Sequence, residues 1–162
     1  MLKSPPDGHN LVVVVGAHVI NGSLQKSMPF DPVADVAPVT LIATSPWVVV
    51  VNPEVPAKNV RELIAHAKAN PGKLSFGTNG EGDFLHFATE LFRKEGGFTY
   101  LHVPFKSAVL PDLVGGRIDA AINTFGGILP FAQSGRLRLL GIARDKRSPQ
   151  YPDYPTLARS EE

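Results

Sequence analysis

"LSFGTNGEGDFLHFATELFRKEGGFTYLHV", residues 74–103, holds one complete copy of the pattern that decides the fold. Leu74–Phe76 reads as a short strand. Three glycines in six residues, Gly77, Gly80 and Gly82, then make a loop. Phe84, Phe87, Ala88, Leu91 and Phe92 recur at helical spacing and mark one apolar face. Gly96-Gly97 closes that helix, because glycine enters the left-handed C-terminal cap at little steric cost. A strand over 99–103 follows. Strand, helix and strand in this order predict a βαβ unit with a right-handed crossover.

The same rhythm continues in both directions. Upstream, Leu11–Val15 (LVVVV) reads as a buried-type strand, and Gly16-Ala17-His18 leads into a short helix that ends before Pro29. Val39–Thr44 and Trp47–Asn52 read as strands broken by Ser45-Pro46. Val60, Leu63, Ile64 and Ala67 mark a helix, which Asn70-Pro71-Gly72 ends because proline cannot continue the hydrogen-bond ladder. Downstream come a helix over about 107–114, strand Ile118–Ile122, a helix over about 127–133 and strand 136–143. Strands alternating with helices predict an α/β fold with a mainly parallel sheet. Ligands in such folds sit at the carboxyl ends of the strands. The loops beginning at Gly16, Gly77, Pro104 and Asn123 are expected there.

Bulk properties narrow the function classes. The 162 residues suffice for one substantial core or two small lobes sharing a hinge. A net charge of +1 lacks the basic stripe of a nucleic-acid-binding protein. Arg136, Arg138, Arg144, Lys146 and Arg147 spread over a strand and its exit loop, and read as a solvated edge. The absence of cysteine excludes disulfides, thiolate metal sites and a cysteine nucleophile. Apolar runs such as Trp47–Val51 are too short to span a bilayer. The opening MLKSPPDGHN lacks the apolar core of a signal peptide, so the chain as written is expected to carry no export address.

Chemistry-bearing motifs are sparse. The Gly77 loop has the spacing G-x-x-G-x-G and lacks the Lys-Ser/Thr ending of a P-loop. Asp83 reads as an N-cap that accepts from the amide of Leu85 or His86, and Glu81 complements the helix dipole. In that reading both acids simply stabilise the helix start. As part of an anion site they are unfavourable: a ligand carboxylate about 5 Å from either acid costs about 1–3 kcal/mol. His9, His18, His66, His86 and His102 show no metal-ligand spacing. His66 falls on the polar side of its helix, whereas His18 and His86 each open a helix behind a candidate loop. There is no G-x-S-x-G elbow, and no pair of acids is placed for acid–base work.

"FDPVADVAPVTLIATSPWVVVVNPEVPAKNVRELIAHAKANPGKLSFGTNGEGDFLHFATELF" resembles the substrate-binding proteins of tripartite tricarboxylate transporters, the Bug (TctC-like) family. So do "YLHVPFKS", "DLVGGRIDAAINTF", "GRLRLLGIARDKRSPQYPDYPTLA" and "PPDGHNLVVVVGAHVIN". The order and spacing of these pieces, from Pro5 to about Ala158, carry the resemblance. It implies a periplasmic-binding-protein type II fold of two lobes with mainly parallel sheets, a periplasmic location and a membrane permease as partner. It also implies a non-enzymatic protein that binds a small organic carboxylate between its lobes, without cofactor or metal.

By the same resemblance, the ligand would meet Gly16, Ala17 and His18 on one wall. Thr78, Asn79, Gly80, Asp83 and His86 would form the other, helped by Lys106, Ser107, Asn123 and Thr124. Residues 1–52 correspond to a partial first lobe, 53–143 to the second lobe, and 144–162 to a return toward the first. This makes the chain a central segment, truncated at both ends relative to the family pattern. Surface uncovered by truncation, beside 11–15 and 47–51, would favour self-association.

Three departures bear on the ligand. The first loop lacks the family's small hydroxyl residues, Glu81 and Asp83 replace neutral residues, and "SAVLPD" compresses a longer run. They disfavour a dicarboxylate. The alternatives are a degenerate fragment that binds nothing, or a small α/β enzyme in which His86 and Asp83 are the only close candidates for acid–base chemistry.

Overall fold

The computed structural model describes residues 4–5, 7–24, 27–106 and 108–157. The chain forms two compact units, Met1–Ile42 and Ala43–Glu162. The first contains helix α1 (Ala17–Leu24). Within it, Asp31 Oδ1 accepts from the amides of Val33 and Ala34, both at 2.8 Å, and shapes the turn after Phe30. The run Leu11–Val15 is not a strand: it is unpaired coil, and its side chains are 46–74% exposed. Val39–Thr44 is likewise exposed coil. Both runs have strand composition, but a strand exists only where another strand takes its backbone groups.

The second unit is built on one five-stranded sheet in the order β3-β2-β4-β1-β5. Its strands are β1 (Trp47–Val51), β2 (Ser75–Thr78), β3 (Leu101–Pro104), β4 (Ala120–Thr124) and β5 (Arg138–Ile142). β2 runs parallel to β3 and β4, while β1 is antiparallel to both β4 and β5. Four strands therefore share one direction and only β1 is reversed. The mainly parallel expectation holds, with this central exception. β1 is fully paired and Val48–Val51 are buried, so the apolar surface expected beside 47–51 is covered. Its pairing also places it in the same compact unit as residues beyond 53.

Helices α2 (Val60–Ala69) and α3 (Phe84–Gly96) cover one face of the sheet. There Val49, Val51, Phe76, Ala120, Ile122 and Leu140 meet Leu63, Ala67 and Leu85. Helices α4 (Leu110–Val114) and α5 (Phe125–Gln133) cover the other, where Val48, Val50, Ala121 and Leu139 meet Leu113 and Ile128. Alternating strand residues serve opposite faces, as the two-residue strand period requires. Burying each of the larger aliphatic side chains contributes about 1.5–3 kcal/mol before chain entropy is subtracted. Asn59 caps α2 through Glu62 N, and Gly97 closes α3 at φ 62°, as its sequence position predicts.

Candidate functional site

The parallel strands β2, β3 and β4 end side by side, and their exits converge. The β2–β4 register ends at Gly77↔Ala121, and just beyond it Asn79 and Asn123 reach one cavity. On the other side, Phe105 N donates to Thr78 O at 2.8 Å, which extends the β2–β3 ladder and delivers Lys106 to the same edge. Asn79, Lys106 and Asn123 line one cavity of about 460 Å³ with Ala108, Val109 and Leu110. Two amides and an ammonium group thus face an apolar wall. Asn123 Oδ1 accepts from the Thr124 amide at 2.8 Å, which leaves its NH₂ group able to donate elsewhere. Lys106 is exposed and forms no ion pair among the described residues.

The glycine-rich loop has a different construction from an anion cradle. Gly77 lies inside β2, and a Cβ there would collide with Ile118 Cδ1 and Val109 Cγ2. Close packing against the α4 face requires that glycine. Gly80 (φ 151°) and Gly82 (φ 75°) supply the positive-φ turn. Asp83 caps α3, accepting from His86 N at 2.7 Å. Gly82 N donates to His86 Nδ1 at 3.1 Å. Both of these loop amides are therefore engaged within the loop itself. Asp83 binds the backbone of His86, not its ring, so the two do not form the proton-relay pair that an enzyme reading needed.

Strand alternation sends the loop's residues to two faces. Asn79 follows Gly77 toward α4, whereas Thr78 follows Phe76 toward α3. Thr78 is fully buried, and its hydroxyl meets His102 Nε2 at 2.7 Å and Gly80 O at 3.1 Å. His86 and His102 stack with centroids 4.0 Å apart. Burial, and secondarily the adjacent His86, hold His102 below the ordinary imidazole value. Glu90 is held below the ordinary carboxylate range, first by the Tyr100 hydroxyl at 2.7 Å and then by Arg93. Tyr100 is pushed far up by burial and by the same carboxylate.

Of the residues expected at a site, Asn79, Lys106 and Asn123 are brought together. Thr124 adjoins Asn123 as the N-cap residue of α5, without a side-chain cap. Thr78, Gly80, Asp83 and His86 belong to the α3 side of the loop. Gly16, Ala17 and His18 lie in the other compact unit, where Gly16 follows coil and His18 Nε2 meets Pro32 O at 2.9 Å. Ser107 lies outside the described residues. Sequence reasoning missed Val109 and Leu110 as lining and gave His102 no role. No group of three or more metal-binding side chains occurs among the described residues.

The whole chain, residues 1–162, matches the family model described as "Tripartite tricarboxylate transporter family receptor". Protein BugT of Bordetella pertussis is 34% identical over 160 residues, covering 96% of this chain and 49% of BugT. A structure described as that of a periplasmic transporter is 36% identical with a TM-score of 0.81, over 88% of this chain and 48% of that one. An R. palustris protein solved with adipate is 31% identical with a TM-score of 0.88, over 98% of this chain and 54% of that one. The chain spans about half the length of the curated relatives it matches. These relatives are substrate-binding proteins, not enzymes, and the chain belongs to the tripartite tricarboxylate transporter receptor family.

Proposed function

We propose that this chain is the solute-binding portion of a periplasmic receptor that captures a small organic carboxylate and serves a membrane permease. The observation that carries the reading is the meeting of Asn79, Lys106 and Asn123 at one cavity from the ends of three adjacent parallel strands. In this reading the Lys106 ammonium and the two amides receive a carboxylate, and Val109 and Leu110 take the aliphatic remainder. A single cation, with Glu81 and Asp83 on the same loop, favours a monoanion over a dianion. The adipate-bound relative supports the general class of ligand. The family pattern divides residues 1–52, 53–143 and 144–162 between a first lobe, a second lobe and a return to the first, although β1 and the residues after β5 fall in the compact unit Ala43–Glu162.

Calorimetric titration with hexanoate and adipate tests the reading. Hexanoate should bind more tightly, and Lys106→Met should weaken it about ten- to a hundredfold, the range for a hydrogen bond to a charged group. Equal affinity in parent and variant, or no heat from either acid, sinks it. The second reading is a remnant that binds no solute and self-associates. The exposed apolar run Leu11–Val15 favours it, and it predicts a concentration-dependent sedimentation coefficient with no carboxylate response.

A further inference from the structure

The loop that carries Asn79 is fastened on its other side by two imidazoles. An amide N–H can only donate, so His86 Nδ1 accepts from Gly82 N, and the ring is neutral with its proton on Nε2. The Thr78 hydroxyl has one proton, which Gly80 O receives at 3.1 Å. Its lone pair is then free to accept Nε2–H of His102 at 2.7 Å. The two rings lie 20° from parallel, with centroids 4.0 Å apart.

We propose that His86 is a proton-operated latch on the Gly80–Gly82 segment: neutral, it holds the Gly82 amide, and protonated at Nδ1, it releases it, which loosens the turn that follows Asn79 at the cavity. This regulation rests on the binding role proposed above for that cavity. Protonation places an N–H where a lone pair had been, so two donors face one another across the former hydrogen bond. Gly80 and Gly82 hold positive φ angles, and once the Gly82 bond is gone the Thr78 hydroxyl on Gly80 O and the Asp83 cap are the side-chain tethers left on either side of Gly82.

Glu81 and Asp83 from the loop and Glu90 from α3 act to raise His102, whereas burial and the adjacent His86 lower it and prevail. Arg93 occupies the other side of Glu90 at 2.9 Å, and Tyr100 donates to that same carboxylate. Burial and its neighbour hold His102, from β3, below the ordinary imidazole value, and its Nε2–H can donate to Thr78 in either charge state. Two imidazolium rings stacked this closely would repel each other.

The test is ¹⁵N NMR on the full chain between about pH 8 and pH 5. The His86 ring nitrogens and the hydrogen-exchange protection of the Gly82 amide should titrate with one midpoint. Protection, corrected for intrinsic exchange, should fall about tenfold, as expected for the loss of one hydrogen bond. His86→Asn offers an amide oxygen that accepts without titrating, so its Gly82 protection should stay flat. Hexanoate affinity should drop on acidification in the parent and hold in His86→Asn. Gly82 protection that ignores the His86 titration overturns the latch, as does an equal drop in affinity in both proteins. Coupled NMR titration without hexanoate binding at any pH would uphold the latch and remove the binding role.

Discussion

Replacing Asp83 by Ala probes the residue on which the loop and α3 both depend. The side chain accepts from His86 N at 2.7 Å, one of the amides that the first turn of a helix cannot satisfy internally. Losing such a cap costs about 0.5–2 kcal/mol. Losing a negative charge at the positive end of a helix costs a further 0.3–1 kcal/mol or so. Against this stands relief of repulsion with exposed Glu81, about 0.5–1 kcal/mol for two charges roughly 7 Å apart in a largely aqueous dielectric. The balance is a net loss of about 1–2 kcal/mol. For a chain of this size, that lowers the midpoint of thermal unfolding by about 2–8 °C. Circular dichroism melts of parent, Asp83→Ala and Asp83→Asn measure it. Asparagine caps about as well without the charge, so its melt should stay near the parent. An alanine variant that melts at or above the parent would refute the cap's dominance and make repulsion with Glu81 the larger effect.

Two other perturbations test the fold around the site. Gly77→Ala forces a methyl group against Ile118 and Val109 and should cost about 1–3 kcal/mol, read as a lower urea midpoint. A midpoint equal to that of the parent would mean that the β2–α4 contact is looser than described. His102 has a folded-state value below 6.5, so the unfolded chain binds more protons in the interval between the two values. Stability should therefore fall as pH drops through about 6.5 and keep falling to the lower value. His102→Gln should flatten that part of the profile, and an unchanged slope in the variant would assign the effect to another group.

The amphipathic helices were legible because their signal is local. Val60, Leu63 and Ala67 bury one face of α2, and Asp83 and Gly97 end α3 where the sequence places them. The strands were legible only where partners exist. Leu11–Val15 and Trp47–Val51 are both runs of valine and similar residues, yet the first is exposed coil and the second lies between β4 and β5. Nothing within either run distinguishes them; the distinction is long-range pairing. The reversal of β1 was hidden for the same reason, since alternating strands and helices predict one direction throughout. At the site, the loops beginning at Gly77, Pro104 and Asn123 were legible from strand ends, whereas Asn79 and Lys106 within them were named by the family resemblance. The His86–His102 stack could not, because it depends on the register of β3 against β2 and on where α3 crosses them.

The position of Glu81 and Asp83 follows from that two-faced loop. In sequence they sit inside a glycine-rich turn, where their charge opposes any anion. In the fold, Asp83 is committed to the His86 amide, and neither acid is among the residues that line the cavity. Asn79, the loop residue that does line it, leaves β2 on the opposite face from Thr78. The two acids stand on the loop between β2 and α3 and off the cavity's lining, whereas Lys106 reaches the cavity from the end of β3. The repulsion reckoned for a ligand about 5 Å from each acid is an upper bound for a carboxylate at Lys106, and it weakens as separation and salt increase. What remains acts mainly on a second negative charge, which has no second cation to meet among the cavity's residues. In the binding mode proposed above, one carboxylate approaches Lys106 and a second is disfavoured, because the lining holds a single cation and the two acids lie outside it.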